Sequence, residues 1–176
     1  YYDKIMENKK YNKATEAVWA GEDNPYFKGA VTTPIINSVA FAYNDLDKWY
    51  DVSTGKEYGF IYSRNTNPTV ASLEEKIRVL EGAEAATAFS TGMAAISNTL
   101  ATFLKPGDRI VSIKDSYGGT NVIFNEFLPP LNIDVCLCET NDHEQILSEI
   151  AKGCKVLYLE TPTNPTVKIT DIKNLS

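Results

Sequence analysis

Histidine and cysteine are scarce in this chain: one His and three Cys in 176 residues. The cysteines, Cys136, Cys138 and Cys154, are odd in number and follow no framework spacing. That argues against a disulfide scaffold and for a reducing compartment, the cytoplasm. Cys136, Cys138 and His143 are the one grouping with a metal-like composition. Residues 135–138 read instead as a buried strand, where free Cys is an ordinary core residue, and no metal site is expected. Long apolar runs are lacking, so no membrane-spanning segment is expected. Residues 1–10 are polar and carry no signal-peptide apolar region. Positive charge is in deficit: 17 Lys and Arg against 23 Asp and Glu, for a net charge of −6. This argues against a general nucleic-acid or anionic-membrane surface, so an anionic ligand needs a local site. Both standard nucleotide cradles are absent: Gly-x-x-x-x-Gly-Lys-Ser/Thr, and Gly-x-Gly-x-x-Gly after a strand.

What is present suits a globular domain with a sizeable core: 43% hydrophobic and 23% charged residues. Residues 1–30 form a polar, Lys/Asn-rich lead-in, with a short helix over 13–20 that ends at Gly21. Residues 31–43 are extended and punctuated by Pro34. A segment of this kind packs poorly alone and is expected as an arm on a partner subunit. One or two helical turns are expected over 45–51. Asn67-Pro68 is a helix start, with Asn as N-cap and Pro at the first helical position. Val70, Leu73, Ile77 and Leu80 recur at helical spacing, and Gly82 stops the helix. Residues 85–89 read as a short buried strand, then comes the turn Ser90-Thr91-Gly92 and a helix over 93–104. A turn at 105–108, a strand over 109–113 and a helix to about residue 127 follow, closed by Pro129-Pro130. A strand over 134–138 and a helix to Ala151 come next, the helix with Ile146, Leu147 and Ile150 as its apolar face. A last strand over 155–159 leads to Glu160-Thr161-Pro162-Thr163-Asn164-Pro165, and a helix opens after Asp171. Alternating strands and helices predict an α/β fold, a mostly parallel sheet flanked by helices.

Ligands of such sheets collect at the carboxyl ends of the strands. The turns at Ser90-Thr91-Gly92, Ser116-Tyr117-Gly118 and 160–164 all fall on that edge. A helix N-terminus after Ser90 binds a phosphate, and Gly92 admits close backbone approach. Tyr117 supplies a flat apolar face and a hydroxyl, Asn164 a neutral amide, and Arg64 a bidentate phosphate clamp. Together they suit a phosphorylated aromatic ring. Each feature has a plainer reading too: Ser and Gly cap many helices, and loops often carry a solvated Arg or a surface Tyr.

Four stretches resemble the Cys/Met-metabolism family of pyridoxal-phosphate (PLP) enzymes. They are Tyr62-Ser63-Arg64-x-x-Asn67-Pro68-Thr69, Ser90-Thr91-Gly92-Met93-Ala94-Ala95-Ile96, Tyr117-Gly118-Gly119-Thr120 and Glu160-Thr161-Pro162-Thr163-Asn164-Pro165. The family includes cystathionine gamma-synthases, cystathionine gamma-lyases, methionine gamma-lyases and O-acetylhomoserine sulfhydrylases. The resemblance implies the large domain of a fold type I PLP-dependent transferase, incomplete here. Residues 1–60 would be an amino-terminal arm and dimer-contact segment, and 61–176 the first part of the PLP-binding domain. It implies cofactor contacts at Tyr62, Arg64, Gly92, Met93, Tyr117 and Asn164. Tyr62 and Arg64 would reach the phosphate of the neighbouring subunit, and Gly92 and Met93 would hold the phosphate of their own. Tyr117 would stack on the ring as the catalytic residue, its hydroxyl passing a proton to the leaving group. Asn164 would meet the ring oxygen. A homotetramer built from dimers and a small amino-acid substrate are implied as well.

The Schiff-base lysine, the aspartate on the pyridine nitrogen and the arginine for the substrate carboxylate are expected beyond Ser176. Asp171 is expected as a helix N-cap instead. This chain alone would hold PLP poorly and do no chemistry. The implied reaction is elimination or replacement at the substrate γ carbon, with PLP as electron sink. Gly119 stands where methionine gamma-lyases carry Cys, which favours a cystathionine gamma-synthase or gamma-lyase. Ile61 stands where some cystathionine enzymes carry an acidic residue, which keeps a sulfhydrylase open. A non-catalytic relative using the fold for assembly, or a nucleotide-binding domain, would be the readings from other classes.

Overall fold

A computed structural model describes residues 12–22 and 25–175. Of the expected lead-in, residues 1–11, 23 and 24 lie outside the described residues. The chain divides into two compact units, Tyr1–Ala88 and Phe89–Ser176.

In the first unit the helices begin and end where cap chemistry dictates. Helix α1, Lys13–Trp19, starts with the Asn12 side chain accepting the Thr15 N–H. Gly21 follows it at φ 77°, and a Cβ there would lie 2.7 Å from the Ser72 carbonyl oxygen, so this turn needs glycine on both counts. Helix α2, Leu46–Ser53, is capped by the Asp45 carboxylate. Helix α3, Pro68–Glu81, has Asn67 as N-cap, Pro in its first turn and Gly82 at φ 66° as the left-handed stop. Lys13 Nζ donates to the Val79 and Leu80 carbonyls at 2.9 and 2.6 Å, a cation on the negative end of α3. The apolar stripe of α3 does not serve as its buried side. Pro68 and Ser72 are buried, whereas Val70, Leu73, Ile77 and Leu80 are 41, 52, 46 and 37% exposed.

The stretch 31–43 has no helix and one antiparallel bridge, Ala40 to Tyr62. It is tied to the start of α3: Asn67 Nδ2 donates to the Ile36 carbonyl at 2.9 Å, and Thr69 Oγ1 to the Pro34 carbonyl at 2.9 Å. At its end Phe41 joins Tyr26, Tyr58 and the fully buried Phe60 in a cluster of mostly edge-to-face rings, Tyr26 to Phe60 at 4.9 Å.

The second unit holds a parallel sheet in the order β2-β1-β3, with β1 Arg109–Ile113, β2 Asp134–Cys138 and β3 Val156–Leu157. Helix α4 is Gly92–Phe103, α5 Gly118–Val122 runs on into a π-helical turn at Ile123–Phe127, α6 is His143–Ala151 and α7 is Ile172–Leu175. Strand β1 is central, and its Ile110, Val111, Ser112 and Ile113 are all fully buried. Ile110 faces Leu100, Leu104, Phe124, Leu128 and Ile133 on one side of the sheet. Val111 and Ile113 face Cys138, Ile146 and Leu175 on the other. Burial on both faces is why β1 reads as a continuous apolar run. Burial also pushes the Cys138 thiol up to about 11, as suits a packing residue rather than a reactive one. Within α6, Ile146 is buried and Ile150 half-buried, but Leu147 is exposed.

Two expected strands differ. Residues 85–89 form none, and Phe89 is 42% exposed. An extended segment becomes a strand only when a neighbour takes its backbone groups, and Ala is a weak strand former. Here the backbone has one side-chain bond, the Ala88 N–H to Glu74 Oε1 at 2.8 Å, and no ladder partner among the described residues. The last strand is short, although its ladder continues through Lys155 N–H to the Arg109 carbonyl and Tyr158 N–H to the Val111 carbonyl.

Arg109 pins the amino-terminal end of β1. Its Nε donates to Asp134 Oδ2 at 2.9 Å and its Nη2 to Glu149 Oε2 at 2.6 Å. Lys152 and then Arg109 hold the Glu149 carboxyl at about 2, against an ordinary 4.5. The folded value is depressed, so this stabilisation is complete above about pH 4.5 and lost as pH falls toward 2. In thermal unfolding of the full-length protein, Glu149→Gln should melt below wild type at neutral pH, and the gap should narrow as pH falls through that window.

Candidate cofactor site

The site starts at the head of α4. Thr91 Oγ1 accepts the Ala94 N–H at 3.0 Å, and the Thr91 carbonyl accepts the Ala95 N–H at 3.1 Å. The N–H groups of Gly92 and Met93 have no partner among the described residues. They lie at the positive end of a 12-residue helix, a ready anion site. Apart from its chain neighbours and its own helix, no described residue comes within 4 Å of the place a Gly92 Cβ would take, so the approach to this turn is open. The turn does not follow a strand, as the sequence pattern suggested, since 85–89 form none.

Tyr117 lies in the turn after β1 and opens α5, the residue 49% exposed. Gly119 joins it to the α4 turn: a Cβ there would stand 2.9 Å from Met93 Sδ and 3.0 Å from Tyr117 Cε1. The Met93 side chain and the Tyr117 ring are therefore near neighbours, with room between them because residue 119 is glycine.

Glu160, just past β3, supplies the third connection. The Tyr117 N–H donates to Glu160 Oε2 at 3.0 Å, and the Asn164 N–H donates to Glu160 Oε1 at 3.0 Å. One carboxylate thus holds the turn after β1 and the turn after β3 together. A second tie runs beside it. Lys168 Nζ and Thr140 Oγ1 both donate to Asp115 Oδ2 at 2.6 Å. Lys168, then Thr140, hold the Asp115 carboxyl below its ordinary range.

Met93, Tyr117 and Asn164 are thus brought together, with Gly92 adjoining Met93. Tyr62 and Arg64 lie in the first unit. Tyr62 is half of the bridge to Ala40 and is 40% exposed. The Arg64 guanidinium lies 5.4 Å from the Tyr62 ring centroid and makes no ion pair among the described residues. Glu160, Asp115 and Lys168 were not singled out from sequence. An acidic residue directly after a strand and before Thr-Pro-Thr-Asn-Pro was a usable signal for Glu160. Nothing local marked Lys168. Among the described residues no group of three or more His, Cys, Asp or Glu can hold a metal ion, and no helix is long and apolar enough to cross a membrane.

Two unpartnered backbone donors, an open approach, an exposed aromatic face and an amide fit the phosphate and ring of PLP. Residues 14–176 match the family model of the Cys/Met metabolism PLP-dependent enzymes. An L-methionine gamma-lyase of Fusobacterium nucleatum subsp. polymorphum is 39% identical over 171 residues, 97% of this chain and 43% of the relative. A cystathionine gamma-lyase of Bacillus subtilis is 37% identical over 166 residues, 91% of this chain and 40% of the relative. The crystal structure of metB from Corynebacterium glutamicum is similar with a TM-score of 0.81 at 34% identity, over 94% of this chain and 41% of that one. The chain belongs to the Cys/Met metabolism PLP-dependent enzymes, and it spans less than half the length of these relatives. Its parallel sheet flanked by helices is part of that PLP-enzyme fold, and the family's cofactor is pyridoxal 5'-phosphate.

Filling the gap at residue 119 should be costly. Gly119→Ala must displace the Met93 thioether, a flexible group, so a loss near the low end of overpacking, about 1 kcal/mol, is expected in denaturation of the full-length protein. Gly119→Val should lose more.

Proposed function

We propose that the whole protein is a PLP-dependent enzyme of sulfur amino-acid metabolism. It carries out γ-elimination or γ-replacement and is of the cystathionine gamma-synthase or gamma-lyase type. The observation that carries this is the meeting of the Met93, Tyr117 and Asn164 turns beside the Gly92 and Met93 N–H groups, which have no partner among the described residues. When bound, the cofactor supplies an electron sink at the substrate Cα. In this reading the Gly92 and Met93 N–H groups hold the phosphate. The Tyr117 ring covers one face of the pyridine, and its hydroxyl carries a proton to the leaving group. The Asn164 amide orients the ring at its oxygen substituent.

Tyr62 and Arg64 serve the phosphate of the neighbouring subunit in a homotetramer built from dimers. The Arg64 guanidinium, which makes no ion pair among the described residues, supports this. Residues 1–60 form the arm and dimer-contact segment, and 61–176 the first part of the PLP-binding domain. The Schiff-base lysine, the pyridine-nitrogen aspartate and the carboxylate-binding arginine are assigned to parts of the protein that this chain does not span. Asp171 is spoken for as a helix cap, its Oδ1 accepting the Asn174 N–H at 3.2 Å. The substrate is a small amino acid and the compartment the cytoplasm.

Gly119 supports the cystathionine-type reading over a methionine gamma-lyase, since the resemblance places Cys at this position in the latter. The 39% identity to an L-methionine gamma-lyase favours the second reading, and a sulfhydrylase is the third. The test is to purify the full-length protein with added PLP, record its visible absorbance and assay cystathionine, methionine and O-acyl homoserines. Expected are a yellow protein and turnover of cystathionine, or of an O-acyl homoserine with cysteine, above that of methionine. A protein that stays colourless overturns the proposal.

Arg64→Ala in the full-length enzyme should weaken PLP binding by roughly tenfold or more, the worth of one hydrogen bond to a charged group. Equilibrium dialysis of the cofactor checks this, and an unchanged constant would make Arg64 a surface charge. For Tyr117→Phe the cofactor should stay bound while kcat falls, as steady-state kinetics would read.

A further inference from the structure

We infer that Glu160 is a positioning residue whose carboxylate sets the spacing between the Tyr117 ring and the Asn164 amide. This rests on the reading of those two residues as cofactor contacts. The two N–H groups it accepts lie 43 and 4 residues away in the chain, each at 3.0 Å, one to each oxygen. Tyr117 caps α5 without a side-chain hydrogen bond of its own, so the cap is delivered from the neighbouring turn. The carboxylate is half-buried, where a charge-assisted bond is stronger than at the open surface.

The geometry around it is closed on both sides. Lys168 to Asp115 spans the same two turns at 2.6 Å. Between the two ties, the Thr163 N–H donates to the Lys168 carbonyl at 3.0 Å and the Lys168 N–H to Thr163 Oγ1 at 2.9 Å. Thr163 itself is buried at 3%. The run from Glu160 to Lys168 is thus a braced loop fastened at each end to the turn that carries Tyr117. With the Asp115 tie fixing one shoulder, the two Glu160 oxygens are the direct link between the Asn164 and Tyr117 backbones. A pocket that holds a flat ring between them depends on that separation to well under an ångström.

The test uses Glu160→Gln in the full-length protein. The variant keeps the size, but its amide nitrogen meets one of the two N–H groups donor to donor. In the cofactor-free protein, hydrogen–deuterium exchange read by mass spectrometry should speed up roughly 10- to 100-fold at Tyr117, Asn164 or both. The dissociation constant for PLP should rise about tenfold or more, and kcat should fall with little change in KM. Glu160→Asp keeps the charge and introduces no opposed donor, but one methylene shorter it reaches only one N–H, so one of the two amides should stay protected and the other should exchange faster. It carries the same test should the Gln variant not fold. Wild-type exchange in the variants overturns the inference. So does faster exchange with unchanged PLP affinity and kcat, which would make the tie structural only. A wild-type protein that takes up no PLP sinks the functional reading and this inference with it. A wild type that takes it up, beside an indistinguishable Gln variant, sinks this inference alone.

Discussion

The second unit depends on one strand being paired on both edges and buried on both faces. Strand β1 pairs with β2 along its whole length and with β3 at Ile110 and Val111, both parallel to it, so ladder partners take up backbone groups of its buried run on both edges. Parallel pairing has a geometric result as well. The chain leaves all three strands on the same side of the sheet, and the turns after β1 and β3 must emerge side by side. That is how residues as distant in sequence as Tyr117 and Asn164 come within reach of one carboxylate. The apolar alternation of Ile110 with Val111 and Ile113 then fixes which cluster each face packs against, because a slip of one residue would exchange the two faces.

The candidate site is built mostly of neutral groups on a chain whose net charge is −6. The Gly92 and Met93 N–H groups, the Tyr117 ring and the Asn164 amide carry no formal charge. The carboxylates that fasten these turns, Glu160 and Asp115, already have donors: backbone N–H groups for the first, Lys168 and Thr140 for the second. In the proposed reading a helix dipole and two backbone donors without a partner among the described residues would meet an anion with both of these carboxylates already paired.

How much of this the sequence disclosed follows the range of the interactions. Helix ends were readable because caps are local: Asn67 bonds two residues ahead, Thr91 three, and Gly82 only needs its own left-handed φ. Strands β1 and β2 were readable because their burial leaves an apolar run. The error at 85–89 came from the opposite case, a segment whose conformation rests on a partner it does not have in the described chain. The α3 spacing was right for a helix and silent about which face is covered. The convergence of turns was expected from the parallel sheet, but the group that fastens them was not, since a bond spanning 43 residues leaves no periodic trace.

The wet stripe on α3 has a thermodynamic side. Val70, Leu73, Ile77 and Leu80 stand on one helical face at 37 to 52% exposure. Full burial of such a side chain from water is worth about 1.5–3 kcal/mol, and since each is already about half covered, a surface laid over this face would gain roughly half of that per side chain from desolvation.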